Sequence, residues 1–150
     1  MTNPMHDRAT PAILSWSDLA IGRSAHLVLR FDAEDLRRFA ELSGDRNPLH
    51  LDSEFARSRG FQREVVYGGL IFARLSHLIG MELPGRDGIW MSGGLDFRDP
   101  LYVDEEAKMV VEVTHLSDAV RMLTLRVRVT AGDRMIAKGT SQVVLREPTA

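Results

Sequence analysis

Residues 39–50 read Phe-Ala-Glu-Leu-Ser-Gly-Asp-Arg-Asn-Pro-Leu-His, and this stretch puts a carboxylate and an imidazole on either side of a turn. Gly44 is a typical helix stop and Asn47-Pro48 is typical of a turn, so the chain between Asp45 and His50 folds back on itself. Both side chains can then point at one small molecule. A base and a proton donor on one water are what the addition of water to an activated double bond requires.

The same stretch resembles the hydratase motif of the MaoC-like (R)-specific enoyl-CoA hydratases. The pattern Phe-x-x-Leu-Ser-Gly-Asp-x-Asn-Pro-Leu-His, with Ala56 after five more residues, carries the resemblance, which continues weakly from about Trp16 to Leu145. That family has the hot-dog fold and hydrates 2-enoyl thioesters or dehydrates 3-hydroxyacyl thioesters. The resemblance implies that Asp45 accepts a proton from a water attacking C3, while His50 orients that water and supplies or relays the proton to C2.

Each candidate residue also has a plainer interpretation. Asp45 alone is a turn residue after a helix, and His50 alone is a solvated or capping histidine. By the resemblance, the N–H of Gly68 at the start of a buried helix stabilises charge on the thioester oxygen, although a simple helix-entry glycine is equally compatible. Ser76 matches a family serine near the catalytic pair, or it bonds back to its own helical turn. We therefore expect Asp45 and His50 to be catalytic because they occur together within one motif, and Gly68 because it occupies the position of the family's glycine.

The chain departs from the family pattern around the expected acyl pocket. Tyr67 stands where the family usually has His, and Gly69 stands where Met is common. Gly93 and Gly94 replace larger residues, which either widens the pocket for a bulky or branched acyl group or marks a bulge or a close backbone contact in a strand. The residues expected to surround the substrate are Asn47, Tyr67, Ser76, Gly93 and Gly94.

Hydrophobic periodicity predicts an α+β order of elements. A strand over residues 25–31 precedes a helix that begins at Asp32 and ends at Gly44. Three helices in all are followed by antiparallel strands, and one buried helix wrapped by a curved sheet fits this order. It is also the hot-dog fold that the resemblance implies. The other expected elements are a short helix from Asp52 or Ser53 to Arg59, a buried helix from Gly68 that Gly80 and Pro84-Gly85 end, strands over 89–97, 108–116, 120–131 and 135–145, and a hairpin turn at Gly132-Asp133.

Composition limits the classes of function. The 150 residues are 44% hydrophobic with a formal net charge of −2, so no basic excess points to nucleic acid or to an anionic membrane surface. No apolar run reaches the length of a membrane span. Residues 1–12 are predicted to be a disordered leader, and residues 13–150 a single domain. The absence of cysteine excludes disulfides and thiolate chemistry and is compatible with the cytoplasm.

The resemblance implies partners but no resident cofactor. It predicts a homodimer that needs neither metal nor redox cofactor and acts on an acyl-CoA or acyl-carrier-protein thioester. Three alternatives stay open. They are a dehydratase for a carrier-bound polyketide or unusual acyl intermediate, a non-catalytic acyl-thioester-binding subunit, and a thioester hydrolase.

Overall fold

A five-stranded antiparallel sheet forms the body of the protein, here a computed structural model that describes residues 10–149. The predicted strands are confirmed, with ends that shift by only one or two residues. The sheet has the strand order first, third, fourth, fifth and second, so the first and second strands are its edges. The strands are β1 (Ser24–Leu29), β2 (Gly88–Phe97), β3 (Ala107–Ser117), β4 (Met122–Ala131) and β5 (Arg134–Leu145).

The first helix, α1 (Ala33–Ser43), has the predicted ends. The Asp32 carboxylate accepts from the N–H of Asp35 at 2.9 Å, and the Asp35 carboxylate accepts from the N–H of Asp32 at 3.0 Å, which satisfies two free N–H groups of the first turn. Gly44 ends the helix in the left-handed region, at φ 79°, where glycine has no steric penalty. These signals are local in sequence, which is why they could be read from it.

A short helix occupies the segment that the sequence analysis interprets as a turn. In α2 (Pro48–Leu51), Pro48 takes the first helical position, where its missing N–H costs nothing. The Asn47 side chain accepts from the N–H of Leu49 at 3.0 Å and caps the helix. The sequence analysis predicted a turn at this point, whereas the structure has a short helix of one turn. The next helix, α3 (Ser53–Ser58), has Asp52 as its N-cap, as expected.

The apolar helix α4 (Gly68–His77) and its continuation end just before the predicted stop at Pro84-Gly85, and the helix is exposed on one side. It continues as a wider π turn over Leu78–Glu82, so Gly80 does not end it. The N–H of Leu83 donates to the carbonyl of Leu78 at 2.8 Å, a five-residue spacing that extends the last turn past the glycine. The expected burial holds for one side of the helix only. The exposed side carries Gly69, Ala73 and Ser76.

The buried side of α4 packs into one core with the sheet. Alternate residues of the two central strands face this core, as the period of two predicts. The fully buried side chains include Ile71, Leu75 and Leu78 from the helix, Met109, Val111 and Val113 from β3, and Leu123, Leu125, Val127 and Val129 from β4. This arrangement confirms the predicted α+β class, with a helix held against a curved antiparallel sheet.

A bulge in β2 lies two residues before the glycine pair. The pairing with β5 slips between Trp90 and Ser92, so Met91 is the extra residue. The expectation of a bulge at Gly93-Gly94 was wrong, but the alternative of close backbone contact is confirmed, since a Cβ on Gly139 would lie 1.9 Å from the carbonyl oxygen of Gly94. The slip also turns Gly93, Leu95 and Phe97 toward the same face as Trp90, because their partners are Ser141, Gly139 and Ala137.

The start of the described chain is attached to the end of the apolar helix. Ala12 is buried, its N–H donates to the carbonyl of Met81, and its carbonyl accepts from the N–H of Arg86. Ala12, the last residue of the expected leader, is therefore in contact with the domain. Residues 1–9 of that leader lie outside the described residues. Within residues 10–149, none of the helices has the length and apolarity that a membrane crossing requires.

Replacing Leu75 with alanine should destabilise the fold strongly. Leu75 is 0% exposed in the middle of α4, and truncating a leucine at such a site leaves a cavity that costs about 2–5 kcal/mol. Urea unfolding at one fixed protein concentration measures the loss. The same change at Leu42, which is 85% exposed, is the matched control and should alter the free energy of unfolding by under about 0.5 kcal/mol. Equal effects at the two positions would contradict this core.

Candidate active site

Asp45 lies in a loop that is tied closely to the end of α1. The Ser43 hydroxyl donates to the carbonyl of Phe39 at 2.7 Å and accepts from the N–H of Asp45 at 3.1 Å. One carboxylate oxygen of Asp45 accepts from the N–H of Asn47 at 3.0 Å. The residue is exposed in the single chain. These bonds fix the loop and leave the carboxylate at the protein surface.

His50 is held by the backbone of a neighbouring loop. Its Nδ1 lies 2.6 Å from the carbonyl oxygen of Val65. Because a carbonyl oxygen only accepts hydrogen bonds, this contact assigns a proton to Nδ1 and leaves Nε2 as the atom that can gain or lose one. The N–H of Val65 in turn donates to the carbonyl of Leu49 at 3.2 Å, which ties this loop to α2.

Tyr67 contacts both members of the predicted catalytic pair. Its ring stacks on the imidazole of His50, with centroids 3.9 Å apart and planes at 25°. Its hydroxyl donates to the backbone carbonyl of Asp45 at 2.6 Å. Burial, followed by the negative charge of Asp45, raises the pKa of Tyr67, so the hydroxyl keeps its proton. The structure thus brings Asp45 and His50 to opposite ends of one tyrosine side chain.

A cavity of about 460 Å³ lies beside His50 and is also lined by Gly68. Gly68 is the first residue of α4, so its N–H has no partner within the helix. A Cβ at this position would lie 2.8 Å from the ring of Phe97, and only glycine leaves room for that ring. The apolar side chains that complete the lining include Phe61, Val65, Val66, Ile71, Leu101 and Ile136. The cavity therefore places an imidazole and a helix N-terminus against an apolar chamber.

A second, more polar cavity of about 320 Å³ also borders His50. Charged side chains line part of it, among them Arg46, Glu41 and Glu64. His50 thus lies in the wall between two cavities of different character. The larger is suited to an acyl group and the smaller to polar groups and solvent.

The remaining predicted site residues lie at the margins of this arrangement. Asn47 caps α2 with its side chain. Ser76 is on the exposed side of α4, and Gly93 and Gly94 are exposed on the edge strand. None of these last three lines the two cavities that border His50. Their role in substrate binding stays a prediction.

Four residues of the site were missed by sequence reasoning. Phe39 and Ser43 are within the quoted motif and Phe97 ends the strand predicted over 89–97, but nothing in their spacing indicates that they support the loop or cover Gly68. Val65 acts through its carbonyl group, so its side-chain identity carries no signal. A functional role that depends on backbone position becomes visible only in the structure.

Comparison with known proteins gives consistent results. Residues 19–135 match the family described as MaoC like domain. The chain is 38% identical over 133 residues to the (R)-specific enoyl-CoA hydratase of Aeromonas caviae, covering 88% of this chain and 99% of the relative. It is 30% identical over 131 residues to the 3-hydroxybutyryl-CoA dehydratase of Methylorubrum extorquens, covering 87% and 83%.

A solved structure agrees with the sequence comparison. The (R)-hydratase from A. caviae involved in PHA biosynthesis superposes with a TM-score of 0.82 at 39% identity, covering 85% of this chain and 98% of that one. The sheet and helices described above therefore form the fold of that hydratase, over nearly its whole length.

Proposed function

This chain belongs to the MaoC-like domain family, and from that premise we propose that it is an (R)-specific 2-enoyl-thioester hydratase that also runs the reverse dehydration of 3-hydroxyacyl thioesters. The enzyme is a hydro-lyase. The observation that carries the proposal is that His50 and Gly68 line one apolar cavity. A proton-transfer group and a backbone N–H donor then meet at the same bound thioester.

The reaction needs three groups at three atoms of the substrate. The oxygen of water forms a bond to C3, negative charge moves to the thioester oxygen, and a proton is added to C2 as the carbonyl re-forms. Asp45 accepts a proton from the attacking water. The Nε2 of His50 orients that water, since Nδ1 is bonded to the Val65 carbonyl. It then takes up the proton that Asp45 accepted and delivers it to C2, so both groups return to their starting protonation states. Dehydration reverses each of these transfers.

Gly68 stabilises the charge on the thioester oxygen in this proposal. Its N–H belongs to the first turn of α4, where the helix dipole favours negative charge. The donor is fixed by the helix, so no reorganisation is needed when charge develops. The ring of Phe97 places apolar surface against the glycine. Apolar surroundings strengthen such a hydrogen bond.

The direct test is an assay with purified protein and a panel of 2-enoyl-CoA thioesters. We expect loss of the enoyl absorbance, formation of the (R)-3-hydroxyacyl product on chiral analysis, and no release of free thiol. Both curated relatives are named for CoA thioesters, so we propose CoA as the carrier. A parallel assay with the same acyl group on a carrier protein tests that choice. Thioester binding without hydration at any chain length would contradict the enzymatic proposal.

We also propose that the protein is a homodimer joined along β2. That strand is an edge of the sheet, and its unpaired backbone groups can pair with a second copy. Ile89, Met91 and Phe97 of this strand are exposed by 42%, 61% and 50%. The small residues on the open side of α4 allow another backbone to approach closely. Exposed apolar side chains beside an open edge are typical of a surface that a partner covers.

Light scattering should give a mass close to twice the 16.8 kDa of one chain. Met91→Lys places a charge on the edge strand and should shift the mass toward that of a single chain. Val120→Lys is the matched control, because Val120 is also exposed, by 56%, but lies in the turn between β3 and β4 and is not on the edge strand. A single-chain mass for the unaltered protein would contradict the dimer.

We propose that the enzyme acts in the cytoplasm. A chain without cysteine gains nothing from an oxidising compartment, which supports this assignment. Cell fractionation followed by the hydration assay tests it, and activity confined to another fraction would contradict it.

A further inference from the structure

Tyr67 connects two residues that must act on the same substrate. We propose that it is a positioning residue, which fixes the Asp45 loop and the His50 ring relative to each other through a single rigid side chain. The inference rests on the proposed function, because it concerns the reaction of that same pair. In place of the expected contact with the substrate, it gives Tyr67, which lines neither cavity beside His50, the role of setting where the two reacting groups stand.

The contact with His50 restricts the imidazole plane. The Tyr67 and His50 rings are stacked with their centroids 3.9 Å apart. A second constraint on the imidazole comes from its Nδ1, which is bonded to the Val65 carbonyl. One contact fixes the tilt of the ring and the other its rotation about the ring axis. Together they leave Nε2 with one direction. A ring held in this way loses little freedom when the substrate binds, which lowers the barrier to reaction.

The contact with Asp45 is made to its backbone and not to its carboxylate. The Tyr67 hydroxyl donates to the carbonyl oxygen of Asp45 at 2.6 Å. The carboxylate therefore stays available as a base, while the peptide that carries it is held in place. Since Tyr67 is only 2% exposed, the hydroxyl has no competing solvent and the bond is retained.

Phe39 and Gly69 make room for the tyrosine and support it. The Phe39 ring lies 4.7 Å from the Tyr67 ring, tilted by 47°. A Cβ on Gly69 would lie 2.3 Å from that ring of Phe39, so any larger residue at position 69 would displace it. The two departures from the family pattern, Tyr67 and Gly69, are thus coupled through Phe39. Tyr67 packs against Phe39 in one aromatic cluster beside the predicted catalytic pair, and Gly69 leaves the space that the Phe39 ring occupies.

Two variants separate the two contacts. Tyr67→Phe keeps the ring and removes only the hydroxyl, and losing one hydrogen bond of about 0.5–1.5 kcal/mol corresponds to a fall in kcat of about 2- to 13-fold. KM should stay within about twofold, because Tyr67 lines neither of the cavities that border His50. Tyr67→Leu also removes the stacking and should lower kcat further. The control is Tyr102→Phe, because Tyr102 is also buried and its hydroxyl accepts from the N–H of Gln62 and makes no bond to Asp45.

A double-mutant cycle distinguishes positioning from a general loss of stability. If Tyr67 acts through Asp45, Tyr67→Phe should have a much smaller effect on kcat in an Asp45→Asn background than in the unaltered protein. NMR of the His50 ring nitrogens gives a second readout that does not depend on activity. We expect Nδ1 to carry the proton in the unaltered protein and in Tyr67→Phe, and its share to fall in Tyr67→Leu.

The outcomes separate this inference from the proposed function. No hydration by the unaltered protein would contradict the proposed function, and the NMR experiment would still test the contact with His50. If the unaltered protein hydrates the substrate and both Tyr67→Phe and Tyr67→Leu have the same kcat as the unaltered protein, the inference would be overturned and the proposed function would stand. Full additivity of the effects of Tyr67→Phe and Asp45→Asn on kcat would overturn it as well. So would an unchanged share of the proton on Nδ1 of His50 in Tyr67→Leu.

Discussion

Replacing His50 with alanine is expected to lower kcat for enoyl-thioester hydration by a factor of about 10²–10⁴, the usual contribution of a positioned acid–base group. The change removes Nε2, which is the only ring nitrogen left for proton transfer once Nδ1 donates to the Val65 carbonyl. Steady-state kinetics with a short 2-enoyl-CoA measures the loss. Circular dichroism should show an unchanged fold, because His50 is only partly buried and lies outside the core.

The matched control for this variant is His115→Ala. His115 is exposed on β3, far along the sheet from α2, and it is not part of either cavity beside His50. Its replacement should leave kcat within about twofold, as expected for an exposed residue remote from the site. Near-normal turnover in His50→Ala would remove the histidine from the mechanism.

Replacing Asp45 with asparagine should have an effect of the same size, a fall in kcat of about 10²–10⁴. The asparagine oxygen can still accept from the N–H of Asn47, as the carboxylate does at 3.0 Å, so the turn is retained. Only the basicity of the side chain is lost. Comparison with Asp45→Ala, which also loses the turn bond, separates the chemical contribution from the structural one.

Asp133→Asn is the control for the loss of one negative charge. Asp133 is exposed in the turn between β4 and β5 and contributes to no part of the site. If Asp45→Asn retained more than about a tenth of the kcat of the unaltered enzyme, Asp45 would not be the base, since removal of a base costs at least about a hundredfold.

The parts of the fold that sequence analysis predicted are those with local causes. The ends of α1 follow from Asp32 and Gly44, and the β4–β5 hairpin follows from Gly132, which adopts a positive φ of 59°. Alternation in β3 and β4 follows from the burial of one face. Each of these depends on residues within a few positions of one another, so a single sequence contains the information.

The parts that were missed depend on contacts between distant segments. The bulge at Met91 is a mismatch between β2 and β5, and neither strand alone indicates where the extra residue lies. The two contacts of Tyr67 reach residues that lie 17 and 22 positions earlier in the sequence. For the site, the motif predicted Asp45 and His50 and the resemblance predicted Gly68, whereas the aromatic support and the Val65 carbonyl required coordinates.

The two backbone contacts that hold Asp45 and His50 affect how the sequence around the site can change. His50 is held by the carbonyl of Val65, and Tyr67 holds the carbonyl of Asp45, so in each case the partner is main chain. Point substitutions change side chains and leave peptide groups in place. Substitutions at Phe61 and Val65, which line the apolar cavity, can therefore change its shape, and with it the preferred acyl chain, while the main-chain contacts of Asp45 and His50 are kept.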